Sequence, residues 1–203
     1  MMHPHTKVQF ISDEVGHGVV ATAFIPKGTI TWVQDPLDRV FSPAEVRSLP
    51  EASQRHLEYF AFRNAFGSMV LCWDHARYVN HSFRSNCLST VYDFEVAVRD
   101  IGPGEQLTDD YGYLNLHSPW KPMDEGTRRK WVRPDDSVRY ARVWDRLLQS
   151  ALRHTPRLPQ PLGEWVRTEV WSELATDAVR TRSIRELHFQ EKQEESGEGR
   201  QKG

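Results

Sequence analysis

RYVNHS, residues 77–82, with Asn86-Cys87 just beyond it, and GEQLTDDYGY, residues 104–113, are the stretches on which the fold turns. Alone, neither is distinctive. Asn, His and Ser in succession suit a polar loop, and a strand that ends in tyrosine is common in β-rich cores. Upstream stands Gly16-His17-Gly18, leading into Val19-Val20-Ala21-Thr22 and then Ile25-Pro26-Lys27-Gly28. A lone GxG reads as a hairpin turn, or as a point where backbone approaches a ligand closely. The order of the three motifs carries more weight than any one of them.

Working outward, residues up to about 115 read as short strands divided by explicit turns. Lys7–Ile11, Val19–Phe24, Thr29–Val33, Met69–Trp73, Leu88–Tyr92 and Phe94–Val98 are rich in β-branched and aromatic residues. Gly16 and Gly18, Ile25-Pro26-Lys27-Gly28 and Ile101-Gly102-Pro103-Gly104 supply the turns. One helix is expected after Ser42, an N-cap with Pro43 in the first helical position and Glu45 in the capping-box position. Pro50 must break or kink it. Beyond Trp120 the pattern turns helical. Ser137–Leu152 places Val138, Ala141, Val143, Leu147, Leu148, Ala151 and Leu152 near one face, and a second helix is expected from about Leu162 to Leu187, presenting Trp165, Val166, Val170, Trp171, Leu174 and Val179. The tail 189–203 is expected to be disordered, since it ends in EKQEESGEGRQKG. The class is mainly β with α: a β-rich domain over 7–115 and a helical extension over 116–188.

With 203 residues, 38% of them hydrophobic and 27% charged, the chain suits one globular domain with an appendage. Two cysteines, Cys72 and Cys87, cannot build a disulfide framework or fill a structural zinc site, so no metal is expected. No apolar run suggests a signal peptide or membrane span, and a soluble intracellular protein is the expectation. The net charge of −2 is unevenly spread. Residues 1–115 carry 9 Lys/Arg against 14 Asp/Glu, and the remainder 17 against 14. The front half therefore suits a basic ligand better than a phosphate backbone, although ordinary surface variation explains it equally well. Arg128-Arg129-Lys130 is weak evidence for nucleic-acid contact, as such clusters are more often solvated.

Together, GxG, RYVNHS and GEQLTDDYGY resemble the signature of SET-domain protein lysine methyltransferases over roughly residues 7–115. The resemblance implies small curved sheets joined by a pseudoknot, in which the segment ending in the tyrosine passes through a loop near NHS. It implies S-adenosylmethionine as cofactor, with Gly16, His17 and Gly18 around its methionyl part and Asn80 and His81 at its amino and adenine ends. Tyr111 would then be the catalytic residue where methyl meets substrate nitrogen. Asp109, Tyr113 and Trp120 would border the substrate channel. An acceptor lysine titrates near about 10.4, so a neutral amine at pH 7 costs roughly 4 to 5 kcal/mol, and a nearby sulfonium lowers that cost. The partner implied is a lysine-bearing protein or peptide, expected to be basic; a histone is one candidate. Oligomeric state is not readable.

Two departures stand out. Many members carry a cysteine directly after NHS and three more downstream that close a zinc site. Here Phe83 holds the first position, and WKPMDEGTRRKWV, residues 120–132, has no cysteine. Trp120, Trp131 and the helix from Ser137 are candidates to close the channel instead, or simply to dock on the domain. Asp109 stands where Phe or Tyr is common, and could grip an ammonium or point into a hydrogen-bonded corner. Residues 35–76 match the variable insert, whose Asp35, Asp38, Glu45, Glu51, Glu58 and Asp74 could face a basic peptide. The alternative reading is a non-catalytic SET-like module that retains a peptide groove or cofactor pocket without turnover.

Overall fold

The computed structural model describes residues 1–176 and 182–190. In chain order the strands are β1 (Thr6–Ser12), β2 (Gly16–Ala21), β3 (Ile30–Val33), β4 (Arg39–Phe41), β5 (Ala61–Arg63), β6 (Met69–Leu71), β7 (Asn80–His81), β8 (Cys87–Ser89), β9 (Phe94–Ala97) and β10 (Gln106–Asp109). They form three small sheets, ordered β1-β2-β10-β7, β3-β9-β8 and β4-β6-β5. The last belongs to the insert.

Each expected strand is present, and three end two or three residues early. β2 stops at Ala21, and Phe24 beyond it is exposed. β6 stops at Leu71, and the Trp73 amide donates to Asp38 Oδ1 at 3.1 Å. β8 stops at Ser89 because residues 90–93 form the turn to β9. There Thr90 N–H donates to Phe94 O, and Asp93 adopts φ 63°.

The Ser42 cap is present with its reciprocal Glu45 contact, starting α1 (Pro43–Ser48). Pro50 separates it from α2 (Glu51–Phe60). The expected Ser137–Leu152 helix is two pieces, α3 (Asp136–Arg139) and α4 (Ala141–Leu152), divided at Tyr140 with φ −106° and ψ 1°. That break rotates the buried face. Ala141, Trp144, Leu148, Ala151 and Leu152 point inward, whereas Val143 and Leu147 are exposed.

The continuous helix expected over 162–187 is not found in the described residues. In its place, α5 (Thr168–Ala175) lies between single 3-10 turns at Gly163–Trp165 and Ile184–Leu187. The chain is held in these turns by side chains. Trp171 Nε1 donates back to Gly163 O, while Asp145 accepts from Ser183 Oγ and Ile184 N and seats Ile184 in the core. Val179 lies outside the described residues, as does most of the tail. Phe189, the tail's first residue, is anchored: its amide donates to Asn115 Oδ1 at 2.9 Å, and its ring packs on Gly67.

The extension completes the core. Ile30, Val33, Leu88, Phe94 and Val96 share one cluster with Tyr113, Trp144, Leu148, Leu152, Val170 and Ile184. One turn locks the join. Gly28 has φ +93°, and its carbonyl accepts from Thr155 Oγ1 and Gln160 Nε2. A Cβ there would lie 2.7 Å from His154 Cβ and 2.9 Å from Ala151 O. Gly28→Ala is therefore expected to cost roughly 2 kcal/mol or more, from backbone strain plus clash. Urea unfolding would show it as a lower midpoint at unchanged slope, and an unchanged midpoint would mean that this turn does not lock the join.

Candidate functional site

Strand β10 brings the motifs together. Its first half pairs antiparallel with β2 (Gln106↔Val20, Leu107↔Val19) and its second half parallel with β7 (Thr108↔Asn80, Asp109↔His81). The glycines at the head of β2, the Asn-His pair of β7 and Tyr111 just past β10 are thus neighbours.

Their contacts are direct. Asn80 Nδ2 donates to His17 O at 3.0 Å and to Gln106 Oε1 at 2.7 Å. Gly18 makes this possible, since a Cβ there would sit 2.4 Å from Gln106 Oε1 and 2.8 Å from Asn80 Nδ2. With both amide hydrogens committed to the protein, Asn80 offers a ligand its Oδ1 acceptor. Gly16 adopts φ +76°, and nothing lies within 4 Å of where its Cβ would be.

Tyr111 donates its hydroxyl to Val79 O at 2.7 Å and its amide to His81 Nδ1 at 3.2 Å. The second bond makes Nε2 the protonated nitrogen of the neutral ring. Burial pulls the His81 pKa down to about 4, assisted by the positive charge of Arg129. His81 Nε2 is sealed from solvent without a partner. Burial, and next the charge of Asp109, push the Tyr111 phenol well above its ordinary value. Both groups are neutral near pH 7, so they orient and donate and do not serve as strong bases.

Trp120 covers this pair. Its ring stacks on Tyr111 at 5.9 Å and 26°, and meets His81 edge-on at 5.4 Å; Phe83 meets His81 from another side at 4.6 Å. Two backbone hydrogen bonds with Val132 hold Trp120 in place. Gly16, His17, Gly18, Asn80, His81, Tyr111 and Trp120 therefore form one cluster.

Asp109 and Tyr113 are directed into the interior. Asp109 is 3% exposed and faces the Glu95 carboxyl, so of its two expected orientations it takes the hydrogen-bonded corner. Tyr113 is buried, accepts the Ser89 amide at its hydroxyl, and packs edge-on against Trp144 at 5.3 Å. It also lines a cavity of about 280 Å³ with Trp32, Phe62, Asn115 and Glu186. A wider hollow of about 560 Å³ is bordered by Val8, Trp73, Arg77 and Tyr78. Neither cavity is lined by the glycines, Asn80 or Tyr111.

The insert's acids are largely engaged in structure. Asp35 and Asp38 are buried and bind Trp73, Glu45 completes the α1 cap, Glu51 pairs with Arg55, and Asp74 accepts from the Ala76 amide. Of the six, Asp35 and Asp38 are turned inward, whereas Glu45, Glu51 and Glu58 remain exposed on the insert's surface. Gln106 and Val79 lie inside the two quoted motifs, yet sequence reading gives neither a role, since a backbone carbonyl and a strand amide carry no signal of their own. Among the described residues no three His, Cys, Asp or Glu converge as metal ligands, and no helix is long and apolar enough to cross a membrane.

Residues 16–112 match the SET domain family. This segment is a SET domain, the domain of the SET-type protein lysine methyltransferases, which generally use S-adenosylmethionine. A solved structure from Plasmodium falciparum, named as a candidate histone methyltransferase, is similar at 15% identity, covering 54% of this chain and 95% of that one, with a TM-score of 0.40. A likeness at that score carries no argument about activity. No curated protein matches the sequence.

Proposed function

We propose that the chain transfers a methyl group from S-adenosylmethionine to the ε-amine of a lysine in a protein or peptide. The observation that carries this reading is the closure of three sequence-distant motifs on β10, with the Tyr111 hydroxyl fixed against the Val79 carbonyl.

The residues present fit the cofactor's chemistry. Asn80 Oδ1 and the backbone at Gly16–Gly18 suit an amino-acid end, because an amide oxygen accepts from an ammonium. Gly16 leaves open the space a Cβ would fill. The partnerless His81 Nε2–H and the Trp120 ring suit a flat, acceptor-bearing base. When bound, the cofactor supplies an electrophilic methyl and a positive charge that favours the neutral form of a nearby amine.

The chain's own part is positional. The Tyr111 and Val79 oxygens provide acceptors at the transfer point, where weak CH···O contacts favour a polarised methyl. Their mutual hydrogen bond fixes the Tyr111 rotamer and spares reorganisation during reaction. Trp120, stacked on the Tyr111 ring, shields the same spot from water.

The test has two parts. Isothermal calorimetry should show S-adenosylmethionine binding, weakened about 10- to 100-fold by Asn80→Ala, as expected for loss of a hydrogen bond to a charged group. No binding, or equal binding by the variant, would remove the cofactor assignment. Incubation with labelled cofactor, a histone panel and lysate, followed by mass spectrometry, should place label on lysine. Binding without transfer would favour the module reading.

A further inference from the structure

We infer that Arg129 is a positioning residue that fastens residues 116–133 over the site and sets Trp120 against Tyr111; in its catalytic aspect this rests on the methyl-transfer reading.

Arg129 is the middle of a basic triplet, yet its side chain is only 13% exposed. Its guanidinium bridges two interior carboxylates, Asp110 through Nη1 and Asp136 through Nη2. These are 3% and 0% exposed at the side chain. The plane is also enclosed by aromatic rings, with the guanidinium carbon 4.7 Å from the centre of Phe83, 4.5 Å from Tyr140 and 5.6 Å from Trp144. Gly112 makes room for it: a Cβ at that position would fall 2.3 Å from Arg129 Nη2. One cation thus touches the segment holding Tyr111, the loop after His81, and helices α3 and α4.

The consequence for the site follows from two short chains of contacts. Asp110 immediately precedes Tyr111, and its other oxygen caps the Gly112 amide at 3.0 Å, so the guanidinium braces the turn that carries the phenol. In the opposite direction, Arg129 Nε donates to Trp131 O at 3.3 Å, and the next residue, Val132, exchanges both backbone hydrogen bonds with Trp120. The fork therefore registers the covering ring to the ring it covers. Only a planar, five-donor group can span both carboxylates while stacked between rings; an ammonium neutralises charge without doing so. The division between charge and geometry makes Arg129→Lys the informative change.

In the full chain, Arg129→Lys should remain folded, since the buried carboxylates keep a cation. Hydrogen exchange at the Trp120 and Val132 amides should accelerate at least about tenfold, because the fork no longer holds the strap. Methyl transfer should lose about tenfold or more in kcat, with S-adenosylmethionine affinity changed far less. Wild-type exchange together with wild-type kcat in the variant would overturn the inference and leave Arg129 as charge compensation alone. Should wild type methylate nothing, the function reading fails, but the exchange result still decides the strap. If the lysine variant does not fold, wild-type exchange across a urea series decides it. Residues 120 and 132 should open together with residues 111–114 as one unit; earlier, independent opening would overturn the inference.

Discussion

Tyr111→Phe is expected to slow methyl transfer by roughly 10²- to 10³-fold while leaving S-adenosylmethionine affinity within a few-fold of wild type. The change removes one oxygen. The ring can keep its stack on Trp120 and its amide bond to His81, since neither uses the hydroxyl. The folding cost should be small, about 1 kcal/mol for the lost bond to Val79 O. Rate and affinity thus separate if the hydroxyl acts at the transfer point. Single-turnover kinetics with saturating cofactor, beside calorimetry, would read both. Equal turnover by the variant would strip Tyr111 of its role, and a parallel fall in both quantities would make it a pocket wall only.

Glu95→Gln is expected to stabilise the protein at alkaline pH by on the order of 2 to 3 kcal/mol, with little gain below pH 5. Glu95 and Asp109 face each other in the interior, and Glu95 Oε2 is sealed from solvent without a partner. Burial pushes Glu95 up to about 7, and burial with the Glu95 charge pushes Asp109 well above the carboxylate range. A raised folded-state pKa means that the native chain holds a proton that the unfolded chain has released. Stability on this account is complete below about pH 4.5 and is lost as pH rises through 7. The buried histidines act oppositely. His81 and His3, both pulled down to about 4 by burial, lose stability as pH falls from about 6.5 towards 4. Wild type should therefore be most stable on the acid side of neutrality, and the glutamine variant nearer pH 7. Urea unfolding between pH 4.5 and 8.5 measures this, and parallel curves would show that the pair does not titrate in that window.

The legible parts of the fold were those encoded locally. Strand positions, the Ser42–Glu45 cap and the Pro50 break each depend on a few adjacent residues. The family motifs, too, could be read before their convergence was visible. What escaped was set at a distance. The Tyr140 break changes which side of α4 faces inward, and it turns on packing against Arg129 and Trp144 that no periodicity reports. The α5 region folds back because Asp145, on another helix, captures Ser183 and Ile184. Arg129 looked like part of a solvated cluster, since its carboxylates lie 19 and 7 positions away without a shared motif. Asp109 likewise gave no sign that its neighbour would be Glu95, on a different sheet.

Strand β10 also has a temporal meaning. It is inserted between β2 and β7, partners that lie far before it in the chain, and neither can be bridged until residues 106–109 exist. Contacts of such long sequence separation form slowly. A nascent chain emerging as far as residue 100 owns the glycine turn and the Asn-His pair but lacks the strand that pairs with both. Competence to bind should therefore arrive late and abruptly during refolding, and its appearance would clock the last step of assembly.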